Sequence, residues 1–171
     1  MPAHIGIVAV SAEGAALCYR TICAESASVF GRHSHPEITM HTFPLSEYVP
    51  HINADRWDAV AAMLLASAEK VQKAGADFLI CPDNTVHQGV DLIRDASPLP
   101  WLHIAEEIAT VAVERGFRRV LVLGTKSLME GPVYPRKLNS RGIETITPSP
   151  EARATIDRFI FDELVYGEFK A

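Results

Sequence analysis

A chain of 171 residues with 48% hydrophobic and 22% charged content is long enough to bury a real core and too apolar to remain disordered. Its net charge of −5 comes without any block of like charge, which leaves no electrostatic footprint for nucleic acid or an anionic membrane. No stretch approaches the roughly 18 uninterrupted apolar residues of a membrane span, and the N-terminus has neither a basic region nor an apolar run long enough for export, so the expectation is a cytoplasmic protein that handles a small molecule. Cys18, Cys23 and Cys81 are odd in number and lack metal-ligand spacing, and they read as free thiols rather than a disulfide framework or zinc site.

Along the chain, apolar runs alternate with helical patterns. Residues 4–10 read as a strand, followed by a helical pattern through Ala15, Ala16, Tyr19 and Ile22. A polar loop carrying His33 and His35 leads to a second strand at 38–43, where Pro44 is a breaker. Residues 56–74 form the clearest helix, with Val60, Met63, Leu64 and Val71 on one face and Gly75 at the C′ position. A buried strand at 76–81 is broken by Pro82, and Asp83-Asn84-Thr85 leads into a helix at about 86–95. After Pro98 and Pro100 come a short strand at 101–103 and a helix at 105–115 closed by Gly116. The strand at 119–123 runs into Gly124-Thr125-Lys126-Ser127 and a helix beginning near Leu128 or after Pro132. A helix at 134–140, a strand at 143–146 and a final helix at 151–166 complete the pattern. Such alternation predicts an α/β fold of parallel sheets with right-handed crossovers and ligands at the carboxyl ends of the strands. Two similar lobes are expected, 1–98 and 99–171.

Three strand ends carry polar residues before a helix start, at Ser11, at Asp83-Asn84-Thr85 and at Thr125-Lys126-Ser127. Each is a potential cradle for a carboxylate or phosphate, or else ordinary helix capping. Neither a dinucleotide fingerprint nor a phosphate-binding loop motif is present. His33, His35 and His87 lack a third ligand at suitable spacing, so no metal is expected.

The run from Gly75 to His87, GADFLICPDNTVH, resembles the strand-turn signature of the aspartate/glutamate racemase family, in which a glycine-alanine-aspartate strand leads into Cys-Asn-Thr and then His. His35-Pro36-Glu37, Ile104-Ala105-Glu106-Glu107, Leu123-Gly124-Thr125-Lys126, Met129-Glu130-Gly131 and Phe161-Asp162-Glu163-Leu164 with Gly167 follow in family order. The resemblance implies two α/β lobes, an amino-acid substrate in the cleft between them, no cofactor, and a homodimer. It also implies racemisation without pyridoxal phosphate, by a base and an acid on opposite faces of the α-carbon. By the match, Ser11, Asn84, Thr85, Thr125 and Lys126 would bind substrate, Arg56 would meet a distal carboxylate, and His87 would support the site from behind.

The chain departs from the family pattern twice. Asp83 stands where the first catalytic cysteine is usual, either as the base on one face or as the cap of the following helix. The Gly-Cys-Thr-Glu strand end that carries the second cysteine is expected after Gly167 and does not occur before Ala171, so the second lobe is expected to be incomplete. The leading reading is an amino-acid racemase using Asp83. The alternatives are a catalytically silent amino-acid or carboxylate-binding homologue, and a related cofactor-free isomerase or decarboxylase.

Overall fold

The structure, a computed structural model, describes residues 2–169. Its first sheet is four-stranded and wholly parallel, in the order β2-β1-β3-β4, built from β1 (Ile5–Ala9), β2 (Ile38–Thr42), β3 (Phe78–Ile80) and β4 (Trp101–Leu102). The central strand β1 alternates between two cores, as the two-residue period of a strand requires. Ile7 and Ala9 face α1 (Ala12–Phe30) and pack with Ala15 and Ile22. Val8 and Val10 face the opposite way, into the larger core formed with α2 (Leu45–Asn53), α3 (Trp57–Lys73) and α4 (His87–Ile93). Parallel strands covered by helices on both faces explain the near-continuous apolar runs in the sequence.

Gly6 in β1 lies against the neighbouring strand so closely that a Cβ there would come within 2.9 Å of Leu79 Cδ2 and 3.1 Å of the Phe78 carbonyl oxygen. The carbonyl belongs to the paired backbone and cannot move aside cheaply. Gly6→Ala is therefore expected to destabilise the fold by about 1–3 kcal/mol, the usual range for overpacking, read as a lowered urea midpoint with an unchanged denaturant slope.

The second sheet is a parallel pair, β5 (Arg119–Leu121) and β6 (Glu144–Ile146). Its core is made by Ala105, Ala109 and Ala112 of α5 (Ile104–Glu114), Leu128 of α6 (Lys126–Glu130), and Val133, Tyr134 and Leu138 of α7 (Val133–Asn139), with Val122 and Ile143. β4 lies beyond residue 98 yet hydrogen-bonds to β3 in the first sheet, and α5 is the first element to pack in the second core. Leu121 and Leu123 point away from that core and are exposed. The chain then runs through α8 (Pro150–Asp162), capped by Ser149 at the Ala152 amide, and ends in a single 3-10 turn, Leu164–Tyr166, that returns to α1. The helix expected at 151–166 thus stops at Asp162, and the turn after it is closed by Gly167 at a φ of 72°. Among the described residues, no helix is long and apolar enough to cross a membrane.

α2 is not among the elements expected from the sequence, where Pro44 reads as a breaker. Pro44 occupies the N-cap position, where its fixed φ and missing N–H do no harm. Pro50 lies within the helix and removes one backbone bond. The compensation is packing: Tyr48 is fully buried in the first core, and Leu45 and Ile52 pack against it.

Candidate functional site

The carboxyl ends of β1, β3 and β5 converge on a cavity of about 300 Å³. The turn after β1 brings Val10 and Ser11, the turn after β3 brings Asp83, Asn84 and Thr85, and the turn after β5 brings Gly124, Thr125, Lys126 and Ser127. α2 and α8 form the remaining walls. Of the residues expected to contact substrate, all but Arg56 line this cavity. Arg56 is exposed at the N-cap of α3 and is not part of the wall.

Asp83 is held by the neighbouring turn. Val10 N–H donates to its Oδ2 at 3.1 Å and Ser11 N–H donates to its Oδ1 at 3.1 Å. The alternative in which Asp83 caps the helix after it does not hold, because α4 starts from Val86 with no side-chain cap and the carboxylate takes its donors from the β1–α1 turn instead. Gly14, in the first turn of α1, keeps this corner open: a Cβ there would come within 2.7 Å of Ser11 Oγ and 3.7 Å of Asp83 Oδ1. Burial pushes the Asp83 carboxyl above its ordinary value, while hydrogen bonds from the Ser11 side chain and the Ser11 and Val10 amides partly oppose that rise. A carboxylate offers about four lone-pair directions, so these donors leave acceptor capacity toward the cavity.

The two lobes are joined across the cavity by hydroxyl groups. Thr85 Oγ1 and Thr125 Oγ1 are 2.7 Å apart, and Tyr134 O–H donates to Asn84 Oδ1 at 2.5 Å. Thr125 also caps α6, accepting from Leu128 N–H at 3.2 Å. Lys126 donates its backbone N–H to Asp157 Oδ1 at 2.6 Å, which docks α8 beside the turn, and its side chain is exposed. Tyr134 and Asp157 were not foreseen. An aromatic at a helix start and an acid in the middle of a helix carry no local signal of a site, and only the packing of α7 and α8 brings them to it.

His87 lies behind the cavity, fully buried. Its Nε2 is 3.0 Å from the Cys81 carbonyl oxygen, so the ring braces the segment that presents Asp83. The His103 ring meets it edge-on at 4.4 Å between centroids. Next to this pair Asp91, Lys137, Glu106 and Arg94 form a chain of ion pairs, with Lys137 2.9 Å from both Asp91 and Glu106. Burial pushes His87 down to about 4, so the imidazole is neutral near pH 7. Burial alone would raise Glu106, but hydrogen bonds from Lys137 and Arg94 outweigh it and hold this carboxyl at about 2. Cys81 is buried beneath the turn with its thiol pushed up by burial, which fits a core thiol rather than a nucleophile.

The chain is 30% identical over 115 residues to the broad specificity amino-acid racemase RacX of Bacillus subtilis (strain 168), an alignment covering 66% of this chain and 48% of that protein. It therefore spans about half the length of that curated relative. A crystal structure from Yersinia pestis assigned as an Asp/Glu racemase superposes with a TM-score of 0.86 at 29% identity, over 99% of this chain and 74% of the other. An aspartate racemase homologue from Pyrococcus horikoshii OT3 gives a TM-score of 0.82 at 27% identity, over 98% and 74%. The model of the Asp/Glu/Hydantoin racemase family matches residues 5–170, and with the fold and the converging strand ends this establishes that the chain belongs to that family.

Proposed function

We propose that the protein is a racemase-type enzyme acting on an amino acid without pyridoxal phosphate, with Asp83 as the base on one face of the α-carbon. The observation that carries this reading is the placement of Asp83 at the cavity wall, fixed by two backbone amides and raised in pKa by burial. A carboxyl lifted from its ordinary range is a stronger base than a solvated one. Asn84, Thr85, Thr125 and Lys126 would receive the substrate carboxylate, whose charge grows as the α-proton leaves.

Inversion needs an acid on the other face. The second lobe faces the cavity with Lys126, Ser127 and Asp157, and we propose that its sheet accepts further strands bearing the group that returns the proton. Exposed Leu121 and the two-stranded sheet support that reading. The homodimer and the cytoplasmic location belong to the same proposal.

A second reading is favoured by one observation. Both oxygens of Asp83 already accept from the backbone, as a structural strut would, which suits a binding homologue without proton transfer. Incubation with a panel of amino acids in D₂O, followed by NMR of the α-proton, separates the two. Loss of the α-proton signal supports the racemase-type reading, and binding without exchange replaces it with the silent homologue.

A further inference from the structure

The walls of the cavity differ in chemistry. On the strand-end side stand the hydroxyls and amide of residues 84, 85, 125 and 127, with Lys126 the cation among the described residues that line it. On the opposite side α2, α8 and the 3-10 turn present Leu45, Val49, Ile52, Ile160, Phe161 and Val165, with Asn53 and Asp157 the polar members of these elements in the lining. Beyond this apolar wall lies a second chamber of about 720 Å³, which shares Val10, Leu45, Val49, Phe161 and Val165 with the first. Its other lining residues include Phe43, Pro44, Pro50 and Tyr166, and no charged side chain is among them.

Resting on the racemase-type reading of the same site, we infer that the substrate is an amino acid with a bulky, uncharged, apolar side chain, aromatic or branched aliphatic, rather than aspartate or glutamate. An α-carboxylate placed at the strand ends meets hydroxyl donors and Lys126, and the side chain then projects toward α2 and α8. An acidic side chain sent that way would lose its hydration with no cation among the described residues of that wall to replace it, since Arg56 is not part of it. An apolar side chain leaves water for an apolar surface, which favours binding in proportion to the area covered. The wall shared by the two chambers is apolar at every residue, so a ring or a branched chain that reaches it is covered by apolar side chains.

The test is binding of L-phenylalanine, L-leucine, L-aspartate and L-glutamate to the full chain by titration calorimetry, alongside Val49→Lys, which places a cation where the two chambers meet. Wild-type protein is expected to bind phenylalanine or leucine at least ~10-fold more tightly than aspartate, the scale on which apolar pockets discriminate. In Val49→Lys the ratio is expected to shift toward the acidic ligands. Aspartate or glutamate binding as tightly as the apolar pair, or no binding of the apolar pair, overturns the inference. If Val49→Lys does not fold, as judged by circular dichroism, the wild-type ranking alone decides. Because the readout is binding, failures are distinguishable: apolar binding without α-proton exchange removes the racemase reading only, whereas exchange confined to aspartate and glutamate removes this inference only.

Discussion

Asp83→Asn is expected to lower α-proton exchange by about 10²–10⁴-fold, the usual contribution of a positioned general base, while leaving the protein folded. Asparagine has nearly the shape of aspartate and keeps one carbonyl oxygen for the Val10 or Ser11 amide. The other position becomes an NH₂ that cannot accept, so one hydrogen bond is lost, at a cost of roughly 1 kcal/mol or somewhat more if the amide is left unpaired. Binding and catalysis are thereby separated: ligand affinity should change little compared with the exchange rate. The pH profile carries the sign. With Asp83 as the proposed base, exchange would require the ionised carboxylate, and burial raises its pKa, so the acid limb of the wild-type profile should lie at higher pH than for a solvated aspartate. Residual exchange in the variant should lack that limb. Wild-type exchange that survives unchanged in Asp83→Asn would leave the carboxylate a purely structural link between the turns after β1 and β3.

Acid should loosen the fold well before the carboxylates of the surface are titrated, because of His87. Its folded value is pushed from about 6.5 down to about 4 by burial. The unfolded chain therefore binds a proton in that interval that the folded chain refuses. The resulting stability is fully present above about 6.5 and is lost as pH falls toward 4, amounting to about 3 kcal/mol at 1.36 kcal/mol per unit. His103 is lowered by the same burial and adds to the effect with the same sign. Glu106, held at about 2, extends the loss further into acid because its stabilising ionisation disappears only between about 4.5 and 2. Urea midpoints measured from pH 7 to pH 4 should fall steadily for the wild type. In His87→Leu the starting stability is lower, since the brace to Cys81 is gone, but the decline over the same interval should be much shallower. An equal slope in both proteins would place the acid sensitivity elsewhere.

The periodicity of the sequence made the α/β class and most elements readable, since buried parallel strands and amphipathic helices leave strong local patterns, as in residues 78–80 and 57–73. The site was readable where it lies in turns directly after strands: Ser11, residues 83–85 and residues 125–126 converge as the order of elements requires. Three things were not readable, each for a physical reason. α2 tolerates Pro50 only because Tyr48 is buried beneath it, a tertiary compensation absent from local propensity. The direction of the Asp83 side chain depends on amides some 70 positions away in sequence, and neither capping preference nor family resemblance encodes that pairing. Arg56 was assigned by position along the chain, but the helix it opens starts outside the cavity wall.

The pair of amides at Val10 and Ser11 is occupied from within the chain. The carboxylate that fills it is tethered by the chain itself, so it competes with dissolved anions as an intramolecular ligand whose effective concentration is of millimolar order or above. Acetate or phosphate from the surroundings therefore gains little by displacing it. The protein thus carries its own occupant at this pair of amides and keeps them from dissolved anions.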